Sequence, residues 1–273
     1  MADELELTVL PFLFGSDTKQ YANYLDWREI EVSEFYDTLR QGGSFKTSAV
    51  NVNAFVSAME PVLANGEDIL YIGFSSALSS AYNSSAMAVK ELEEKYPERK
   101  IFIVDSLSAS LGQGLLLYHA VREKRKGKSI EEVRDYVENT KLKVCHWFTV
   151  DDLMFLKRGG RVSAASAVMG TVLNIKPIMH TDNSGRLTVM GKVRGRKASL
   201  KALVTKMQEL GTNLAEQKIF ICHGDCRTEA ESVAEWMRTL CGIRDILIHP
   251  IGPVIGAHTG PNTIGIFFLG TER

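Results

Sequence analysis

Ser75, Ser76, Ser79 and Ser80 bring four hydroxyls into the segment Gly73-Phe74-Ser75-Ser76-Ala77-Leu78-Ser79-Ser80-Ala81-Tyr82. The apolar run Ile69 to Phe74 ahead of them reads as a buried parallel strand, and the residues after them as a helix to about Glu94. Open parallel sheets take ligands at the carboxyl ends of their strands, where free main-chain N–H groups and a helix start favour an anion. The serines could add hydroxyl donors to a carboxylate or phosphate; the plainer alternative is one capping serine among small surface residues. Lys46-Thr47-Ser48, after Gly42-Gly43, sets another hydroxyl pair in a loop before a helix, which alone is the composition of a cap.

The segment Gly252-Pro253-Val254-Ile255-Gly256-Ala257-His258-Thr259-Gly260-Pro261-Asn262 reads as a glycine-punctuated loop between two strands that presents His258 and Thr259. Glycines let backbone approach a ligand and a histidine can donate to a carboxylate, although a structural loop with an incidental histidine has the same look. Lys157-Arg158-Gly159-Gly160-Arg161 and Lys192-Val193-Arg194-Gly195-Arg196-Lys197 are local basic spots suited to phosphate or an acidic partner, or simply a solvated face.

Other chemistries fit less well. Gly73-Phe74-Ser75-Ser76-Ala77 approaches the G-x-S-x-G nucleophile elbow, with Asp105 and His258 following in hydrolase order, so a serine hydrolase or esterase is the alternative function. Ala77 stands where the last glycine belongs, and no HGG-type oxyanion segment lies upstream. No phosphate-binding P-loop, G-x-G-x-x-G or H-E-x-x-H occurs. Cys222-His223-Gly224-Asp225-Cys226 has no second ligand pair, so it reads as strand and loop, and neither metal nor cofactor is expected. An anion sensor built on the basic clusters is a third class of function.

The elements that must position these groups alternate. Helices are expected after an N-cap at Ser33, over 52–65, to Glu94, over Leu111 to Arg125, and from a Ser129 cap to Lys141, with a strand over Ile101 to Val104. Strands separated by helices imply a parallel sheet with right-handed crossovers. Further on, the pattern gives strands at 145–150, 218–222, 245–249 and 264–269, a hairpin over 175–193 around Asp182-Asn183-Ser184-Gly185, and helices at 199–210 and 228–240. The change of texture places an N-terminal α/β domain at 1–142, a parallel sheet flanked by helices, and a C-terminal α/β domain with a mixed sheet at 143–273.

Length and composition agree. A chain of 273 residues accommodates two modest domains, and 45% hydrophobic with 24% charged residues excludes wholesale disorder. The net charge of −1 gives no global attraction to nucleic acid or an anionic membrane, so any anion site is local. Four cysteines without a CxxC pair fit a reducing compartment. The start MADELELTVLPFLF carries acids where an export signal needs cations, and no apolar run reaches the about 18 residues of a membrane span, so a soluble cytoplasmic protein is expected.

At these residues the sequence resembles the DegV family, the fatty-acid-binding subunits of bacterial fatty acid kinases. The matching segments are Thr47-Ser48, Ser75 to Tyr82, Val104-Asp105-Ser106 through Ser110-Leu111-Gly112, Leu156 to Ser163, Asn174-Ile175-Lys176-Pro177, Val193 to Lys197 and Ile251 to Pro261, in family order over nearly the whole chain. The resemblance implies two α/β domains with a long-chain fatty acid in a buried tunnel between them, and a carrier without catalysis of its own. A separate ATP-dependent kinase subunit would phosphorylate the carboxylate to an acyl phosphate. No nucleic acid is implied, and transient membrane contact is compatible with such a carrier.

Carried over by motif, Thr47 and Ser79 would hydrogen-bond the carboxylate, with Ser48 and Ser80 close by and His258 and Thr259 assisting. Arg161, Arg194 and Arg196 would serve the carboxylate approach or kinase docking. The sequence departs from the family in three places. The family's first strand, ending Thr-Asp-Ser ahead of the segment matching Leu7 to Leu13, has no counterpart, which implies a truncated start or a missing strand. Ala49-Val50 replaces the usual Gln-Pro, and Ser80-Ala81 the usual Gly-Thr.

Overall fold

The computed structural model describes residues 2–16, 18–163 and 174–273. Three short strands, β1 (Leu13–Gly15), β2 (Gln20–Ala22) and β3 (Lys46–Ser48), form an antiparallel sheet in the order β2-β1-β3. Helices α1 (Val32–Arg40) and α2 (Val52–Ala64) flank β3 in the chain. The strands β4 (Ile69–Gly73) and β5 (Ile101–Asp105) pair in parallel, joined by α3 (Ala81–Lys95), and α4 (Leu111–Arg125) and α5 (Ile130–Thr140) follow.

The remaining strands are β6 (Val144–Thr149), β7 (Ile175–Thr181), β8 (Leu187–Arg194), β9 (Lys218–His223), β10 (Asp245–Pro250) and β11 (Ile264–Leu269). They make one mixed sheet in the order β10-β9-β11-β6-β7-β8, in which only β10 and β9 run parallel. Its helices are α6 (Leu153–Arg158), α7 (Arg196–Leu210), α8 (Arg227–Cys241) and α9 (Pro253–Thr259). The chain is thus an α/β protein with a parallel pair flanked by helices and a larger mixed sheet. Among the described residues no helix is long and apolar enough to cross a membrane.

Local chemistry explains most boundaries. Ser129 caps α5 through a reciprocal capping box with Glu132, and Asn51 caps α2 by accepting from the Ala54 N–H at 2.9 Å. The Asp182 to Gly185 turn joins β7 to β8 as the hairpin composition requires.

Three expectations need correction. α1 starts at Val32 after Glu31, so Ser33 lies inside the helix rather than capping it. Lys46–Ser48 is a strand and not a loop, because β1 supplies the partner that a local reading cannot see, with Phe14 opposite Thr47. Residues 253–259 are helical, not a loop. Pro253 presets the first turn and Gly260, at φ 77°, closes the last. Gly256 is there for close approach: a Cβ would lie 2.7 Å from the Tyr36 hydroxyl oxygen and 2.8 Å from a Phe35 ring carbon.

That contact places α9. Phe14, Phe35 and Tyr36 are essentially fully buried and pack with Phe155, Val254 and Ala257, which locks β1, α1, α6 and α9 together. The Tyr36 hydroxyl donates to the Ile251 carbonyl at 2.8 Å, satisfying a buried polar pair. A second cluster joins Ile72 of β4, Val104 of β5 and Leu115 and Leu116 of α4 to Phe220 and Phe267 of the mixed sheet. α4 therefore packs against both sheets, and burying each such large apolar side chain contributes about 2 kcal/mol.

Candidate functional site

Along β3 side chains alternate, so Lys46 and Ser48 face out while Thr47 turns inward. The Thr47 Oγ1 meets His258 Nε2 at 2.9 Å. His258 sits in the last turn of α9, where the Gly256 contact presses the helix onto α1. Its ring lies flush against Gly159, just past α6: a Cβ on Gly159 would come within 2.1 Å of Nδ1. Only glycine leaves room there. Burial first, then the nearby Arg161 cation, pushes the His258 pKa down to about 4, so the ring is neutral at pH 7, with one nitrogen a donor and the other an acceptor.

Arg161 brings in the third element. Its Nε donates to the Leu78 carbonyl at 3.2 Å, and its Nη1 donates to the Gly159 carbonyl. Burial lowers the pKa of the guanidinium. The turn after α6 is thereby fastened to the residue preceding Ser79. Ser79 is partly buried, and its Oγ accepts from the Ala81 N–H at 3.3 Å as α3 begins. Thr47, His258 and Arg161 thus form one connected cluster, and Ser79 lies one residue from the carbonyl that Arg161 holds.

The other residues singled out from the sequence stand apart from this cluster. Ser48 is exposed on the opposite side of β3, and Ser80 is exposed at the start of α3 without a side-chain cap bond. The Thr259 hydroxyl is turned into its own helix, donating to the Ile255 carbonyl at 3.2 Å. Arg194 is exposed at the end of β8, opposite Ile175. Arg196 is committed elsewhere: its Nη2 lies 2.6 Å from Glu229 and 2.5 Å from the Asn262 carbonyl, and its Nε is 3.0 Å from the same carboxylate. It ties α7 to α8 and to the segment after α9, while its Nη1 is buried without a hydrogen-bond partner among the described residues.

Ser75 is not built as a nucleophile. It is fully buried, and its hydroxyl donates to the Gly185 carbonyl at 2.8 Å, pinning the tip of the β7–β8 hairpin to the end of β4. Asp105, the would-be acid of that reading, instead accepts the N–H of Ser76 at 3.2 Å and of Leu107 at 3.0 Å. These main-chain contacts shape the serine segment, and only the DSLSAS composition after β5 hinted at them.

Two spaces of different character flank α6. An apolar cavity of about 230 Å³ sits between α6 and the β7–β8 hairpin, lined by Leu153, Ile175, Pro177 and Val189 with residues 190–192. Beside it, Phe148, Val150, Leu156 and Met179 make a dry cluster with Leu153. A more polar cleft of about 490 Å³ opens between α6 and the loop before β3, lined by Arg40, Gly43, Ser44, Asp152, Phe155 and Arg158 among others. A neutral imidazole, a hydroxyl and a half-buried guanidinium gathered beside apolar surface can hold one anionic head group and exclude water from what is attached to it.

Fold and cluster together define an α/β protein with a local polar cluster held between its elements. The chain belongs to the DegV family, whose sequence profile, described as "Uncharacterised protein, DegV family", matches residues 1–271. It is 46% identical over 273 residues to a DegV domain-containing protein of Clostridium perfringens, covering 100% of this chain and 94% of that one. Among solved structures it is similar to a fatty-acid-binding DegV family protein from Thermus thermophilus, with 26% identity, a TM-score of 0.85, and 99% of this chain and 94% of that chain covered. The fatty acid kinase B3 protein of Streptococcus pneumoniae, loaded with linoleic acid, shares the fold at 21% identity and a TM-score of 0.82, over 95% of this chain and 89% of that chain.

Proposed function

We propose that this chain binds a long-chain fatty acid and presents its carboxylate to a separate ATP-dependent kinase, which converts it to an acyl phosphate. Two α/β units divided near residue 142 would hold the acid between them. The observation that carries the reading is the cluster in which Thr47 Oγ1 and His258 Nε2 meet at 2.9 Å while Arg161 reaches from Gly159 to the Leu78 carbonyl. Belonging to the DegV family, and similarity to a fatty-acid-binding protein at 26% identity, support the choice of ligand.

The chemistry is coherent. A buried carboxylate needs donors, since an unpaired buried charge costs several kcal/mol. Ser79 and Thr47 would donate to it, His258 would orient the Thr47 hydroxyl by donating its Nε2–H to Oγ1, and Arg161 would supply the compensating charge. An acyl tail offers about 0.8 kcal/mol per buried CH₂, so a dry channel would retain it tightly. In the transfer, a carboxylate oxygen would bond to the terminal phosphorus of ATP as the bond to ADP breaks. The kinase would supply that machinery, and this chain would supply substrate in the right orientation. The polar cleft beside α6 gives a direction of approach. The four thiols, none of them paired, suit a reducing cytoplasm.

The test is phosphorylation of carrier-bound fatty acid by an ATP-dependent fatty acid kinase. The wild type is expected to yield acyl phosphate and the Thr47→Ala/Ser79→Ala double variant none. Undiminished acyl phosphate from the double variant would remove those hydroxyls from the head-group site.

A further inference from the structure

Arg273 carries a buried guanidinium, 8% exposed, that the function above does not use. Among the described residues no carboxylate pairs with it. Instead its five N–H donors are matched by five main-chain carbonyls. Nε donates to Val144 at 3.1 Å, Nη1 to Leu107 and to Asp182 at 3.1 Å, and Nη2 to Lys141 at 2.6 Å and to Ser106 at 3.4 Å. A buried cation without a directly bonded carboxylate is costly; Asp182 and Asp105 offset part of that cost at a distance, and a planar fork of five donors lets carbonyl dipoles offset more.

The carbonyls are not scattered. Ser106 and Leu107 belong to the loop after β5, and Asp182 to the tip of the β7–β8 hairpin. That loop is strained, with Leu107 at φ 50° and Ser110 at φ 53° and ψ −137°. Non-glycine residues keep such angles only where their surroundings hold them. The segment carrying Ser79 hangs from the same two supports. The Ser75 N–H donates to the Ser108 carbonyl at 2.9 Å, the Ser76 N–H to Asp105, and the Ser75 hydroxyl to Gly185 in the hairpin turn.

We propose that Arg273 is a positioning residue for the Ser79 side of the head-group site, acting through the Asp105–Ser110 loop and the hairpin tip rather than on the ligand. The inference rests on the fatty-acid reading for its consequence, but not for its mechanism. Lysine cannot replace this arginine, because three donors on a flexible stem cannot reach carbonyls on three segments at once.

The experiment compares Arg273→Lys with Val233→Ala, a core truncation beneath α8 that lowers stability away from the site. In ligand-free protein, amide exchange at Ser75, Ser76 and Ser79 is expected to be at least about tenfold faster in Arg273→Lys than in Val233→Ala at matched global stability. Ser75→Ala, which cuts only the hairpin tether, should speed the same amides by less, and Arg273→Gln, which keeps part of the donor set without the charge, replaces Arg273→Lys should that variant fail to fold. With palmitate labelled with ¹³C at its carboxyl carbon, the bound resonance should move in Arg273→Lys and stay in place in Val233→Ala. Exchange at these amides in Arg273→Lys no faster than in Val233→Ala would overturn the role of Arg273, whatever Ser75→Ala shows. Failure of the wild type to take up palmitate would instead overturn the fatty-acid reading, while the exchange result would still decide the role of Arg273.

Discussion

On one side of the proposed head-group site, Thr47 and His258 meet through their side chains and Arg161 holds the Gly159 and Leu78 carbonyls, on elements that an aromatic cluster packs together. On the other, Ser75 to Ser79 hang by main-chain N–H groups from a strained loop and a hairpin tip, with Leu78 the one large apolar side chain the segment buries. The first side is set by packing: Phe14, Phe35, Tyr36 and Gly256 fix where α9 sits, and the imidazole follows. The second is set by hydrogen bonds between segments distant in sequence. Packing forces do not fade with a single missing contact, whereas a hydrogen-bonded loop can open locally at small cost. The side-chain half should behave as a rigid wall and the serine half as the part that adapts to the ligand.

The contrast can be broken most severely at Gly159. Gly159→Ala puts a methyl 2.1 Å from His258 Nδ1, and the imidazole must leave its place against Thr47. Fatty-acid affinity measured by calorimetry should fall on the order of a hundredfold, as for a displaced buried donor. Gly256→Ala attacks the packing beneath the same histidine, where the new Cβ would stand 2.7 Å from the Tyr36 hydroxyl oxygen. Chemical denaturation should show a loss of about 1–3 kcal/mol from overpacking, with affinity falling alongside. Tyr36→Phe leaves the Ile251 carbonyl buried without its 2.8 Å donor, and a loss of about 1–2 kcal/mol is expected with much of the affinity retained.

A gentler probe uses acid. Burial, and to a lesser degree nearby cations, hold His146 at about 3 and His258 at about 4, below the ordinary value of about 6.5. The unfolded chain therefore takes up these protons first. Stability should be fully present above about pH 6.5 and decline as pH falls toward 3, which thermal melts across that range will read. The two histidines then separate the site from the rest of the fold. His146 is bonded to Thr181 at 2.8 Å within the mixed sheet and should titrate the same with and without fatty acid, whereas a bound carboxylate should raise the His258 value in NMR titrations. Smallest of all, Ser48→Ala and Arg194→Ala change exposed side chains, and both affinity and stability should stay within about 0.5 kcal/mol of wild type.

How much of this was readable in the residues follows from the same contrast. β4 and β5 were legible because parallel strands buried on both faces are continuous apolar runs, and α5 because Ser129 and Glu132 spell out its own cap. α9 was not, since its glycines resemble loop punctuation until Tyr36 is seen pressing on Gly256. β3 was hidden for a related reason: three residues make a strand only because Leu13–Gly15 lies alongside. In the site, residue type and motif led to Thr47 and His258, which the structure joins. Arg196 carried the same kind of signal, and its bond to Glu229 was not legible, being a contact across 33 positions that no local spacing reveals. Ser75 misled, since its hydroxyl is spent on Gly185. Arg273 gave no sign at all, because main-chain carbonyls leave no trace in side-chain composition.

The central claim is that this α/β chain holds a fatty acid by its carboxylate. Denaturing extraction of protein purified without added lipid, followed by mass spectrometry of the extract, tests it most directly. The expected result is long-chain fatty acid near one equivalent per chain in the wild type and strongly reduced in Gly159→Ala. An extract free of fatty acid, together with no uptake of added palmitate, would contradict the account.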